Sequence, residues 1–233
     1  MTDYPYADII WDDNDTPISL SFSDPYYSRT DGQSETRHVF LKGNGLPKRW
    51  HKKQDFIIGE LGFGTGLNFL ETVSQWNISK QTYSLTGELT YVAFEKFPMS
   101  KADFRRALKR WHGLSDFSCE LIAFWPPRLG WSCCKLGSVT LCIAIGDAKD
   151  MLATWDGAAD AWYLDGFSPA KNPDLWDIDL FQTMAKRTSP KGTFATFTAA
   201  GWVKRNLQAS GFNVIKMPGF GCKRDSLRGF LVK

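Results

Sequence analysis

Histidine and cysteine are scarce in this chain, at three and five of 233 residues. His38, His51 and His112 have no metal-ligand spacing, and no CxxC pair links Cys119, Cys133, Cys134, Cys142 and Cys222, so no metal is expected. The odd cysteine count argues against a complete disulfide framework, and the five are read as reduced thiols of a cytoplasmic protein. No serine occupies a nucleophile elbow, which leaves the hydrolase reading without its parts. No apolar run approaches membrane-spanning length, and the acidic, aromatic N-terminus has no signal-peptide core, so no membrane partner is expected. Charge of one sign is not in excess either. The net charge of +3 permits an RNA partner without requiring one.

Aromatic residues, in contrast, make up 15% of the chain and include ten tryptophans, enough for a core of large side chains with some left for base stacking. The length suits one large domain with an addition. Residues 1–52 lack regular strand and helix alternation and are read as an N-terminal extension, with a small hairpin, packed on a main domain at 53–233. Such a segment either covers a bound cofactor or caps a sheet edge.

The main domain starts with Asp55 to Leu70, DFIIGELGFGTGLNFL. Phe56, Ile57 and Ile58 form the uninterrupted apolar run of a strand buried on both faces, closed by Glu60. Gly62, Gly64 and Gly66 allow a tight turn with close backbone approach to a ligand, and Leu67, Phe69, Leu70 and Val73 begin an amphipathic helix. Its free N-terminal amides are a seat for a carboxylate or phosphate. A dinucleotide fingerprint wants its third glycine where Leu67 stands, which disfavours NAD. Glu60 would repel a pyrophosphate but could face the ammonium of an amino acid, and S-adenosylmethionine (SAM) carries such an end.

Later elements repeat the alternation. Leu89 to Phe94 is a strand ending at Glu95, and Ser100 with Asp103 opens a helix through Trp111 by a capping box. Residues 116–131 read as helix then loop, and Ser132–Lys135 with Val139–Ile145 as antiparallel strands, the second ending near Asp147. A short helix through Met151 and Trp155 precedes strand Ala161–Leu164, which ends at Asp165. A helix from about Asp179 to Thr188, a strand Thr193–Thr198, a helix Gly201–Ser210 and two final strands complete an α/β fold. Its sheet is mostly parallel with an antiparallel edge.

Glu60, Glu95, Asp147 and Asp165 therefore converge on the C-terminal edge of the sheet, where open α/β folds bind ligands. Glu95 is placed to accept from two ribose hydroxyls, and Asp147 from an adenine amino group with Ala148 leaving room for the ring. The alternative for each is a strand-end carboxylate that caps a turn. Asp165 sits in a loop with Gly166, Phe167, Pro169, Lys171, Pro173 and Trp176, where an acid can orient an amine or receive its proton. Lys171, Lys204, Arg205, Lys223 and Arg224 flank the same edge, either to meet phosphates or merely as solvated charges.

Three stretches, GELGFGTGLNFL at 59–70, DAWYLDGFSPAKNPDLW at 160–176 and TFATFTAAGWVKRNLQASGF at 193–212, resemble the methyltransferase half of the bacterial MnmC family. Residues 22–44 and 219–225 are similar to other marked stretches of that family, whose members modify the wobble uridine of certain tRNAs. The resemblance implies a class I SAM-dependent methyltransferase, Rossmann-like in fold. It also implies methylation of the primary amine of 5-aminomethyl(-2-thio)uridine at tRNA position 34. By matching motif, Glu60, Gly62, Gly64, Gly66 and Asn68 would border the methionine part of SAM, Glu95 its ribose and Asp147 its adenine, with Asp165 as the catalytic acid. Bifunctional members continue into an FAD-dependent oxidase that exposes the amine. No second nucleotide fold follows here, so FAD is not expected, and a separate enzyme would supply the aminomethyl intermediate. Two further readings are a methyltransferase or aminopropyl transferase for a small amine, and an RNA-binding protein without turnover.

Overall fold

The computed structural model describes residues 6–53 and 55–232, so the first five residues of the expected extension lie outside the described residues. Five parallel strands form its centre: β4 (Phe56–Leu61), β5 (Leu89–Glu95), β7 (Val139–Ile145), β8 (Ala159–Leu164) and β9 (Thr188–Thr196). Antiparallel strands flank them, β6 (Gly130–Leu136) on one side and β11 (Asp225–Leu231) with β10 (Phe212–Pro218) on the other. The order is β10-β11-β9-β8-β4-β5-β7-β6, so both edges are antiparallel, where one was expected.

Alternation along the strands sends side chains to two cores. Phe56, Ile58, Tyr91 and Ala93 meet helix α2 (Leu67–Tyr83), helix α3 (Lys101–Lys109) and Trp125, which follows helix α4 (Ser115–Phe124). Leu61, Val92, Phe94 and Trp162 meet helices α5 (Ala148–Thr154), α6 (Ile178–Lys186) and α7 (Gly201–Ala209). Burial of both faces explains why the parallel strands read as continuous apolar runs. The Ser100 hydroxyl accepts from the Asp103 amide at 3.1 Å, as expected, yet α3 ends before Trp111, which packs in the core. Thr188 belongs to β9 rather than to α6, because its backbone pairs with Ala159 of β8, while its hydroxyl accepts from buried Trp162.

Residues 6–52 form more than a hairpin. Strands β1 (Ile9–Trp11), β2 (Pro17–Ser19) and β3 (Asp24–Pro25) make a small antiparallel sheet. Helix α1 (Gly32–Glu35) follows, running into a π-helical stretch, Thr36–Leu41. Asn44 donates to the Trp162 carbonyl at 3.1 Å and Arg49 to the Asp160 carbonyl at 2.9 Å, which ties this segment to β8. Val39, Phe40, Leu41 and Trp50 share the first core.

One cysteine reading needs correction. Cys133 and Cys142 stand directly opposite each other on β6 and β7, with Cα atoms 4.1 Å apart, and form a disulfide. Cys119, Cys134 and Cys222 are free. Composition cannot see cross-strand register, and register alone brings this pair together.

Gly59 on β4 faces the Trp162 ring, and a Cβ there would stand 2.3 Å from it. Trp162 is fully buried and its indole is held by Thr188. Gly59→Ala is therefore expected to destabilise the fold by about 1–3 kcal/mol, measured by denaturant unfolding.

Candidate functional site

The strand order reverses direction between β4 and β8, and the turns leaving these two strands touch. The Asp165 amide donates to the Leu61 carbonyl at 3.0 Å, and a Cβ on Gly62 would fall 2.0 Å from the Asp165 carbonyl. With φ of +88° as well, this position requires glycine. A cleft of about 1200 Å³ opens over this point. Gly62, Gly64, Asn68, Glu95, Asp147, Ala148, Asp165, Phe167, Lys171 and Lys223 line it.

At one end Glu95 organises the glycine turn. Its carboxylate accepts from the Gly64 amide and the Phe97 amide, each at 2.8 Å, so each oxygen keeps further acceptor capacity. Burial pushes its carboxyl above the usual range, and these amides oppose that shift. Asp147 begins α5, accepting from the Lys149 amide at 3.0 Å and from the Lys96 ammonium at 2.9 Å. Its pKa is lowered by these contacts, which outweigh its burial. Turn-capping and a cleft-facing position thus coexist in both acids.

At the other end lies a chain of buried polar groups. The Asn68 amide donates to Glu60 at 2.8 Å and to Asp165 at 2.6 Å, while its carbonyl accepts from Thr36 at 2.6 Å. Thr36 comes from the π-helical stretch of the N-terminal segment. Glu60 is fully buried, and burial first, then the Asp165 charge, pushes its carboxyl well up. Asp165 is raised to about 7, by burial first and by Glu35 second; Asn68 and Lys223 act against the shift.

Four expected site residues lie elsewhere. Glu60 is sealed behind Asn68, and Gly66 packs beneath Phe63 and Phe104; neither lines the cleft. Lys204 on α7 and exposed Arg224 also lie off its wall. Lys171 lines it but is engaged, donating to Asp24 at 2.7 Å and to the Ser23 carbonyl. Phe167 stacks on Phe22 and meets the edge of Tyr26. Residue-by-residue reading missed Tyr26, Glu35, Thr36, Phe197 and Phe220, all cleft-lining. The stretches 22–44 and 219–225 contain four of them, but carried no role.

The cleft suits a cationic ligand. Asp8, Asp24, Glu35, Glu95, Asp147, Asp165, Asp174 and Asp177 outnumber Arg29, Lys96, Lys149, Lys171 and Lys223 around it, although the chain as a whole is basic. At Gly64, φ is +53° and a Cβ would crowd Tyr26 at 3.2 Å, so glycine keeps the cradle open beside the first turn of α2. That turn has unpaired backbone donors by its nature. An amino-acid carboxylate at the helix start and a sulfonium among the acids match these features.

Residues 113–231 match the profile of a family described as S-adenosyl-L-methionine-dependent methyltransferase. The chain belongs to that family. The methyltransferase is 44% identical over 240 residues to a tRNA 5-methylaminomethyl-2-thiouridine biosynthesis bifunctional protein MnmC from Aeromonas hydrophila subsp. hydrophila. That match covers 98% of this chain and 36% of the relative. A protein of the same description from Pseudomonas savastanoi pv. phaseolicola is 43% identical over 241 residues, covering 100% and 36%. The chain thus spans 36% of the length of these curated relatives. Among solved structures, MNMC2 from Aquifex aeolicus superposes with a TM-score of 0.75 at 22% identity, over 99% of this chain and 72% of that one. Precorrin-6y C5,15-methyltransferase from Geobacter metallireducens gives 0.51 at 14% identity, over 95% and 98%. These likenesses establish the class I methyltransferase fold that the family resemblance implied, on the α/β sheet that the alternating elements led us to expect.

Because the folded protein holds the Asp165 proton more tightly than the unfolded chain, stability is lost as pH rises from about 4 to about 7 and is not regained above. Asp165→Asn is expected to raise the melting temperature by a few °C at pH 8 and by much less at pH 4.5, read by calorimetry.

Proposed function

We propose that this methyltransferase transfers the methyl group of SAM to the primary amine of 5-aminomethyl(-2-thio)uridine at tRNA wobble position 34, in the cytoplasm, forming the 5-methylaminomethyl product. The observation that carries the proposal is Asp165. It is a half-buried carboxyl at the switch point, poised near neutral pH, in a chain that aligns along its length with part of proteins named for this product.

SAM, when bound, supplies an electrophilic methyl group on a positively charged sulfur. Gly62, Gly64 and Asn68, with the first turn of α2, would hold its amino-acid end; Glu95 would hold the ribose and Asp147 with Ala148 the adenine. Glu60 serves this site through Asn68 rather than by touching the ligand. Methyl transfer between heteroatoms passes no electrons to an acceptor, so this step asks for no flavin.

Asp165 has the central task. An ammonium has no lone pair, so the acceptor amine must lose a proton to react. A carboxylate with pKa about 7 takes that proton readily near neutrality, more so than one with its ordinary value. Asn68 fixes the carboxylate from behind, and Phe167, clasped by Phe22 and Tyr26, walls the loop beside it. Positioning then supplies much of the rate, up to roughly 7–11 kcal/mol in favourable cases. Phe167, Lys171, Lys204, Lys223 and Arg224 would meet the RNA, the last three from the rim. The amine itself is exposed at another active centre, on this protein's chain or on a separate enzyme.

Nucleoside mass analysis tests the assignment. tRNA bearing 5-aminomethyl-2-thiouridine, incubated with the protein and labelled SAM, is expected to gain one labelled methyl group on that nucleoside. Asp165→Ala is expected to lower turnover by about 10²–10⁴-fold while SAM affinity changes only a few-fold. Methylation of small amines but not of this RNA would replace the tRNA assignment with a small-amine transferase. In the wild type, turnover is expected to fall about tenfold per pH unit below about 7, as Asp165 becomes protonated.

A further inference from the structure

Lys223 lies in the loop between β10 and β11, at the Asp165 end of the cleft. Its ammonium donates to the Glu35 carboxylate at 2.8 Å and stands 4.2 Å from the centre of the Phe197 ring. A carboxylate on one side and an aromatic face on the other make a site for a primary alkylammonium, and here the chain's own lysine fills it. Glu35 is well shielded, with 12% of its side chain exposed, whereas Lys223 keeps 42% in solvent. The acceptor half of the site is therefore built, while its occupant can swing outward.

Several features tie this site to the reaction. Glu35, Phe197, Lys223 and Asp165 line the same cleft, and the Glu35 charge acts directly on Asp165. Thr36, the next residue after Glu35, holds Asn68, which in turn holds Asp165. Phe197 lies one residue beyond the end of β9, so its ring is carried by the sheet. The loop bearing Lys223 is closed by a backbone hydrogen bond from Gly219 to Arg224 and anchored where His38 meets the Pro218 carbonyl at 2.9 Å.

We propose that Glu35 and Phe197 form the recognition site for the substrate's aminomethyl group, and that Lys223 is a stand-in for it, displaced when substrate enters. This rests on the wobble-uridine reading and deepens it. Glu35 then selects RNA that carries the amine over RNA that lacks it, and delivers the ammonium beside Asp165, where its proton is lost. Lys223, released, turns outward to the phosphates of the bound RNA.

The test compares two anticodon stem-loop RNAs, one with 5-aminomethyluridine at the wobble position and one with uridine. Binding is measured in the presence of S-adenosylhomocysteine, so that no turnover occurs. Wild-type protein is expected to prefer the amine-bearing RNA by about tenfold or more. Glu35→Gln is expected to lose that preference while keeping its affinity for the uridine RNA and for S-adenosylhomocysteine. Phe197→Leu is read in the same way should Glu35→Gln fail to fold. Lys223→Met is expected to weaken binding of both RNAs but to increase the preference, because the internal competitor is gone. If wild-type protein, given SAM in a parallel turnover assay, methylates the amine-bearing RNA and Glu35→Gln still discriminates between the two RNAs in binding, the recognition site is refuted and the wobble-uridine reading stands. If wild-type protein methylates neither RNA, the reading falls and the inference with it.

Discussion

A carboxylate buried at the end of the central strand is the constraint on which this structure turns. Glu60 has no access to water, and its neighbour across the switch point, Asp165, is a second acid. Two such groups cannot both ionise cheaply in so dry a place. The Asn68 amide resolves the conflict by donating one hydrogen to each, so that a single side chain from α2 fixes both acids. Thr36 holds the asparagine carbonyl, and so the N-terminal segment becomes part of the site rather than a cover laid over it.

The cost of this arrangement is useful. A carboxyl of pKa about 7 destabilises the folded protein at neutral pH, but it is also the form of carboxyl best matched to taking a proton there. The surroundings divide the labour. The Glu95 end is stiffened by backbone amides, with both its oxygens already engaged, and so presents a fixed shape. The Lys223 end is closed by one ion pair and one ring contact, both of which can exchange partners. A site that must hold one ligand firmly and admit another should be rigid at one end and exchangeable at the other.

Much of this was legible in one dimension. The doubly buried strands announced themselves as apolar runs, the glycines marked a close approach, and four acids recurred at strand ends. These signals are local, since each depends on a few adjacent residues and on the two-residue period of a strand. Several details were not legible, for reasons that are equally physical. Glu60 reads like the other three acids, yet it lies inside β4, which runs on to Leu61, and is covered by Asn68, whereas Glu95 ends β5 and Asp147 and Asp165 lie beyond the ends of β7 and β8. Cys133 and Cys142 are joined by register alone. Lys171 and Lys223 read as free cations, but acids from the distant N-terminal segment claim both.

By itself the sequence determined the α/β class, the glycine turn that excludes a side chain at Gly62, and the identity of the acids brought to one sheet edge. Backbone sterics and strand periodicity act over a few residues and need no partner. Only the tertiary structure decided which acids face the cleft, which cations are already paired, and that Thr36 and Glu35 belong to the site. Those outcomes depend on contacts between residues up to 188 positions apart, where burial and hydrogen-bond satisfaction are set by what the fold packs alongside.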